Sequence, residues 1–165
     1  MHNPPTTEDI ILDRSIQGTD CQRCVDWAIS MLMLGHETDY LGRLAGQLPP
    51  FDLDSIGILR DRALEELGFK DLSSEALICC SVANALQQHR NDDLMSERIL
   101  KSAKMLYVNH TILDLHPLYL LSHGLNDLEE FGDQWYVEGM NHSNASEIKR
   151  SMVDAFIKVH AKPLY

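Results

Sequence analysis

Apolar residues recur every three or four positions over most of the chain, the spacing that places them on one face of an α-helix. The clearest stripe lies between an N-cap at Thr19 or Asp20 and a stop at Gly35. Its apolar members are Cys21, Cys24, Val25, Ala28, Met31 and Leu32. Comparable stripes predict helices over about 39–47, 52–67, 74–89, 93–115 and 117–123, and a last helix that starts at a capping box at 144–147.

No segment alternates apolar and polar residues as a half-buried strand does. We therefore predict an all-α fold, a compact single-domain bundle of about six or seven helices over residues 19–165. Residues 1–18 are predicted to be an extended or partly ordered N-terminal segment, since Pro4 and Pro5 open it and Gly18 closes it. The stretch from Gly124 to Asn141 is harder to assign, because glycines interrupt it.

The charge balance restricts the partners that this chain can bind. Its 165 residues contain 14 Lys and Arg against 25 Asp and Glu, a net charge of −11. No Lys or Arg occurs from Met105 to Ser146. Such a chain repels nucleic acids and anionic membranes, so neither is expected as a partner. A protein with a basic surface is the expected partner, and the oligomeric state stays open.

The sequence indicates a cytoplasmic protein. Its first residues lack the basic and apolar regions of a secretory signal, and no apolar run approaches the length of a membrane span. Cys21 and Cys24 form a C-x-x-C motif, but a thioredoxin-like enzyme needs a strand before that motif, and none is predicted. We interpret these cysteines, together with Cys79 and Cys80, as small packing residues and expect no cofactor.

A metal-dependent enzyme is the alternative function. His110 and Asp114 are four residues apart, hence on one face of a helix, and His116 follows closely. Imidazole and carboxylate groups so placed could bind a metal ion in a helical bundle. The chain contains no His-Glu-x-x-His, no phosphate-binding loop and no Gly-x-Ser-x-Gly motif. We therefore predict that the protein is not an enzyme and binds no metal.

The most unusual stretch is residues 126–139, which we call the acidic-aromatic segment. It combines carboxylates with large aromatic side chains between glycines. Aromatic residues anchor protein interfaces, and neighbouring carboxylates bind Arg or Lys of a partner. The predicted partner-binding residues are Asp127, Glu129, Glu130, Asp133, Trp135, Tyr136 and Glu138. Whether Trp135 and Tyr136 contact a partner or fill the core is left open by the sequence.

Several short runs resemble those of small helical bacterial proteins of unassigned function. The runs are Trp27-Ala28, Gly35, Leu44-Ala45-Gly46, Ala63–Gly68, Gln134-Trp135-Tyr136 and Asn144. Some proteins of that kind look like immunity proteins encoded beside toxins. The resemblance implies a binding protein. We therefore expect an immunity-type inhibitor that covers a basic site on a toxin or another protein with the acidic-aromatic segment.

Overall fold

The computed structural model describes residues 4–16 and 19–164, and over these ranges it contains helices and no strand. The helices are α1 (Thr7–Ser15), α2 (Cys21–Met33), α3 (Asp39–Ala45), α4 (Leu53–Glu66), α5 (Glu75–Gln88), α6 (Asp93–His110), a 3-10 helix (Leu113–Leu115), α7 (His116–Phe131) and α8 (Ala145–His160). The all-α prediction is confirmed. The described residues form eight α-helices, slightly more than the six or seven predicted.

The chain divides into two compact units, Met1–Ser74 and Glu75–Tyr165. The predicted boundary at residue 18 does not coincide with this division. Residues 7–15 are also not extended, because Thr6 and Asp9 form a capping box that starts α1. The apolar side chains from Ile10 to Leu12 are buried. The rest of the predicted N-terminal segment includes residues 1–3 and 17–18, which lie outside the described residues.

In the first unit, α2 contacts α1, α3 and α4. Trp27 of α2 is completely buried, and its indole Nε1 donates a hydrogen bond to the Thr7 hydroxyl at 3.1 Å. Cys21 and Cys24 are buried on the same helix and form no disulfide. Burial raises the pKa of Cys24 to about 11, the opposite of what a reactive C-x-x-C thiol needs. The packing role predicted for these two cysteines agrees with this burial.

In the second unit, α5 contacts α6 and α8, and α7 contacts α6 and α8. Helix α6 ends at His110 rather than near residue 115, because Thr111 takes a left-handed conformation with φ 54°. Pro117 lies in the first turn of α7, as predicted. None of the helices in the described ranges combines the length and apolar character that crossing a membrane requires.

Helix α7 continues through Gly124 to Phe131, although the sequence pattern predicts an end near His123. Gly124 is needed there for space rather than for a turn. A Cβ atom on it would lie 2.6 Å from Cε of Met140 and 3.0 Å from Oε1 of Gln134. The loop after α7 therefore packs directly against the backbone of the helix. The C-terminal half of α7 and this loop together carry the acidic-aromatic segment.

Candidate functional site

The loop over residues 132–144 exposes the largest aromatic side chain of the second unit. Trp135 is 88% exposed, and Phe131, at the end of α7, is 69% exposed. Tyr136 is 38% exposed. Neither Trp135 nor Phe131 fills the core. Large exposed aromatic side chains are typical of contact regions.

Gln134 holds this loop in shape. It is buried between exposed neighbours, and its Nε2 donates hydrogen bonds to the carbonyl oxygens of Val137 at 2.6 Å and Met140 at 2.9 Å. Its Oε1 accepts a hydrogen bond from the Val137 amide at 2.8 Å. One side chain thus satisfies three backbone groups that the irregular loop would otherwise leave unpaired. Sequence reasoning did not single out Gln134, since a lone glutamine carries no local signal.

Asn144 is the second residue that shapes the loop. It precedes α8, but it makes no side-chain cap for that helix, so the predicted capping box is wrong. Its Nδ2 donates to the carbonyl oxygen of Gly139 at 2.9 Å, and its Oδ1 accepts from the Asn141 amide at 2.7 Å. The side chain therefore closes the loop on itself instead of capping α8. Competition of this kind between local turns and helix caps is common for asparagine.

Tyr136 ends a row of rings that lies along α6 and α7. His123 stacks on Tyr136 with ring centroids 4.7 Å apart, and Tyr119 meets the edge of His123 at 4.7 Å. Tyr107 of α6 lies 4.5 Å from Tyr119 and 5.3 Å from His116. These contacts fix the orientation of Tyr136, so that it presents a positioned ring rather than a free one.

The predicted carboxylates fall into two groups. Asp127 and Glu130 lie four and seven residues after His123, on the face of α7 against which Tyr136 stacks. Asp133 and Glu138 are exposed on the loop. Within the described ranges, none of these four carboxylates forms an ion pair with a basic side chain. We call Asp127, Glu130, Asp133, Trp135, Tyr136 and Glu138 the acidic-aromatic surface.

Glu129 does not share this face. It lies two residues after Asp127, hence roughly 200° around the helix. With Lys101 and Lys149 it lines a groove of about 290 Å³ between α6, α7 and α8. The sequence places Glu129 in the right segment, but its neighbours in the fold are basic side chains of the same chain.

His123 is the titratable group at the base of the acidic-aromatic surface. Burial lowers the pKa of His123, and the charge of Lys104 lowers it further, while the carboxylate of Asp127 acts in the opposite direction. The imidazole that stacks on Tyr136 is therefore neutral at physiological pH. Its protonation would add a positive charge beside the carboxylates of that surface.

We expect NMR titration of the His123 ring protons to give a pKa below the ordinary value of 6.5. Asp127→Asn should lower the pKa further, and Lys104→Met should raise it. Because protonation is easier in the unfolded chain, His123 leaves stability unaffected above pH 6.5 and reduces it as the pH falls through the folded-state pKa. A measured pKa at or above the ordinary value would contradict this description.

The alternative metal ligands are not brought together as a set. His110 and His116 are exposed, and only Asp114 belongs to a group of converging ligand atoms. In the described part of the chain, Cys79, Asp114 and His160 each offer one ligand atom, and these atoms all lie within 4.8 Å of one another. The group joins α5, the 3-10 helix and the end of α8. Sequence reasoning missed it because its members are far apart in the chain.

Cys79 is the buried member of this group. Burial raises the pKa of the Cys79 thiol to about 12, and the neighbouring charges of Asp114 and Glu75 contribute in the same direction. Without a bound cation, the thiol is therefore protonated at neutral pH. Cys80, the next residue, faces elsewhere: its sulfur lies 3.5 Å from the carbonyl oxygen of Lys162. The different directions of the Cys79 and Cys80 side chains agree with the angle of about 100° between adjacent side chains of a helix.

Comparisons of the chain with protein families, with characterised proteins and with solved structures give no match.

Proposed function

We propose that this protein is a protein-binding module that uses the acidic-aromatic surface to contact a partner with a basic surface. The observation that carries the proposal is the exposure of Trp135 on a loop whose backbone Gln134 and Asn144 hold by hydrogen bonds. Exposing a tryptophan costs solvation free energy, and a partner that covers it regains that free energy. Tryptophan is also the residue type most enriched among interface residues with large binding contributions.

The rigidity of the loop over residues 132–144 also supports the proposal. A flexible loop loses conformational entropy when it binds, and that loss subtracts from the affinity. Here Gln134 and Asn144 already fix the loop, and the ring row along α7 already fixes Tyr136. The protein therefore loses little entropy when a partner contacts these side chains.

The charge distribution supports a basic partner. Within the described ranges, the four carboxylates of the acidic-aromatic surface form no intramolecular ion pair, so a partner's cations can pair with them. Their negative charge accelerates encounter with a basic protein. In its most specific form, the proposal is that the partner is a toxin and that the surface blocks a basic site on it. The mechanism is occlusion in a stoichiometric complex, without turnover and without a cofactor.

The test is a quadruple variant in which Asp127, Glu130, Asp133 and Glu138 become Asn or Gln. The partner is captured from the native host on immobilised wild-type protein and then purified, and binding rates are measured at several salt concentrations. We expect the variant to fold normally and to associate about 10-fold more slowly at low salt. The difference in association rate between the variant and the wild type should decrease as salt screens the charges.

Glu129→Gln is the matched control, because it removes a carboxylate of the same segment that faces the groove with Lys101 and Lys149. It should leave the association rate close to that of the wild type. Equal association rates for the quadruple variant and the wild type at every salt concentration would refute the proposed surface. The toxin-specific form predicts that the wild-type protein, and not the quadruple variant, relieves growth inhibition by the captured partner.

A further inference from the structure

We propose that Cys79, Asp114 and His160 form a zinc site that ties the end of α8 to α5. The three ligand atoms lie within 4.8 Å of one another. In a tetrahedral site with bonds of about 2.0–2.3 Å, ligand atoms lie about 3.3–3.6 Å apart. The ligand atoms are thus at most about 1.5 Å farther apart than in a loaded site, a difference that side-chain rotation can close.

The ligand types select the metal. A thiolate and an imidazole suit Zn²⁺, whereas Mg²⁺ and Ca²⁺ prefer oxygen ligands alone. Three protein ligands leave one tetrahedral position for water. Asp114 and His160 also line a surface cavity of about 510 Å³, which gives solvent and metal access to the group. Binding replaces the proton of the Cys79 thiol, which is released to solvent.

The backbone around the three residues is fixed. Asp114 is exposed in the 3-10 helix, and the neighbouring Ile112 and Leu115 are buried. The ring of His160 contacts the ring of Phe156, one turn earlier in α8, at 4.4 Å. Within the part of the chain that the structure describes, neither the Asp114 carboxylate nor the His160 ring forms a hydrogen bond or an ion pair. Both groups are therefore available to a cation.

The segment that follows His160 is already held on α5. The side-chain amide of Asn84 donates to the carbonyl oxygen of Lys162 at 2.7 Å, and the Lys162 amide donates back to the Asn84 Oδ1 at 3.2 Å. This pair keeps the end of α8 near Cys79. A zinc ion held by these three protein ligands would add a second tie between the same two helices.

The test begins with full-length protein that has been freed of metal with a chelator. Zn²⁺ is titrated against a chromophoric competitor, and Co²⁺ is used as a spectroscopic substitute. We expect one Zn²⁺ per chain and a thiolate-to-Co²⁺ charge-transfer band. Zn²⁺ should also slow hydrogen exchange at the C-terminal end of α8 and raise the melting temperature. Mg²⁺ should do neither.

Cys79→Ser should abolish the charge-transfer band, and it should weaken Zn²⁺ binding by more than the roughly 10–100-fold that loss of an outer-sphere partner causes. Asp114→Asn and His160→Gln should weaken binding comparably, and because both side chains are at least partly exposed, these variants should remain folded. Cys80→Ser is the matched control and should keep both the band and the affinity. The absence of stoichiometric Zn²⁺ binding, or wild-type affinity in Asp114→Asn and His160→Gln, would overturn the proposal.

Discussion

Replacing Trp135 by Ala is expected to remove most of the affinity for the partner and to leave the free energy of unfolding almost unchanged. The side chain is 88% exposed, so the folded protein loses few contacts with it. A partner that covers the ring loses a large apolar contact, which for a tryptophan hot spot costs about 2 kcal/mol or more, roughly 30-fold in Kd. Because the lost contacts form only in the complex, the dissociation rate should increase more than the association rate decreases.

The measurement combines binding kinetics and thermal unfolding on the same variant. Leu94→Ala is the matched control, because Leu94 of α6 is 80% exposed and lies outside the acidic-aromatic surface. Leu94→Ala should change neither binding nor melting temperature. If Trp135→Ala kept the wild-type dissociation rate, Trp135 would not be an anchor. If the variant unfolded at a much lower temperature, the exposure described for Trp135 would be wrong.

Replacing Gln134 by Met should destabilise the protein by about 2–4 kcal/mol. Methionine fills a similar volume but can make none of the three hydrogen bonds that Gln134 makes to Val137 and Met140. Each net hydrogen bond contributes about 0.5–1.5 kcal/mol, and the backbone groups left behind lose their partners. The loop should also become mobile, so partner binding should weaken although Trp135 and Tyr136 are unchanged.

Denaturant unfolding measures the loss of stability, and hydrogen exchange at the Val137 amide measures the loop. Gln134→Glu separates the hydrogen bond that the Gln134 side chain accepts from the two that it donates. A glutamate can still accept from the Val137 amide, but it cannot donate to two carbonyl oxygens when it is ionised. It should therefore be at least as destabilising at neutral pH and less so in acid, where the carboxyl group is protonated. Wild-type stability in both variants would show that the hydrogen bonds of the Gln134 side chain do not stabilise the loop.

Most of the helices were predictable from local sequence, but α1, which starts at the Thr6–Asp9 capping box, was not. Asp20, one of the two N-caps predicted for α2, accepts a hydrogen bond from the Arg23 amide. Thr38, Asp52 and Asp92 cap α3, α4 and α6 in the same way. Gly35 and Gly68 take the positive φ expected after a helix end. Helix caps and apolar periodicity depend on residues only a few positions apart, so both can be recognised in a single sequence.

The remaining features depend on contacts between distant segments. From the sequence, Gly124 indicates the end of a helix. In the structure it lies within α7 and allows Met140 and Gln134 to approach the helix backbone. Cys79, Asp114 and His160 meet only because three elements pack together. Composition drew attention to the segment that contains Trp135 but left open whether Trp135 is buried or exposed. The separation of Glu129 from the other carboxylates required the position of α7 relative to Lys101 and Lys149.

In the loop after α7, some residues fix the backbone conformation and others only expose their side chains to solvent. Gln134 and Asn144 hold the backbone, and the missing side chain of Gly124 leaves room for it, while Trp135 and Glu138 are exposed. The exposed positions can therefore change without cost to folding, much as antibody loops diversify on a constant frame. A library randomised at residues 135 and 138 should yield stable proteins with new binding specificities, whereas one randomised at residues 124 and 134 should yield mainly unstable ones.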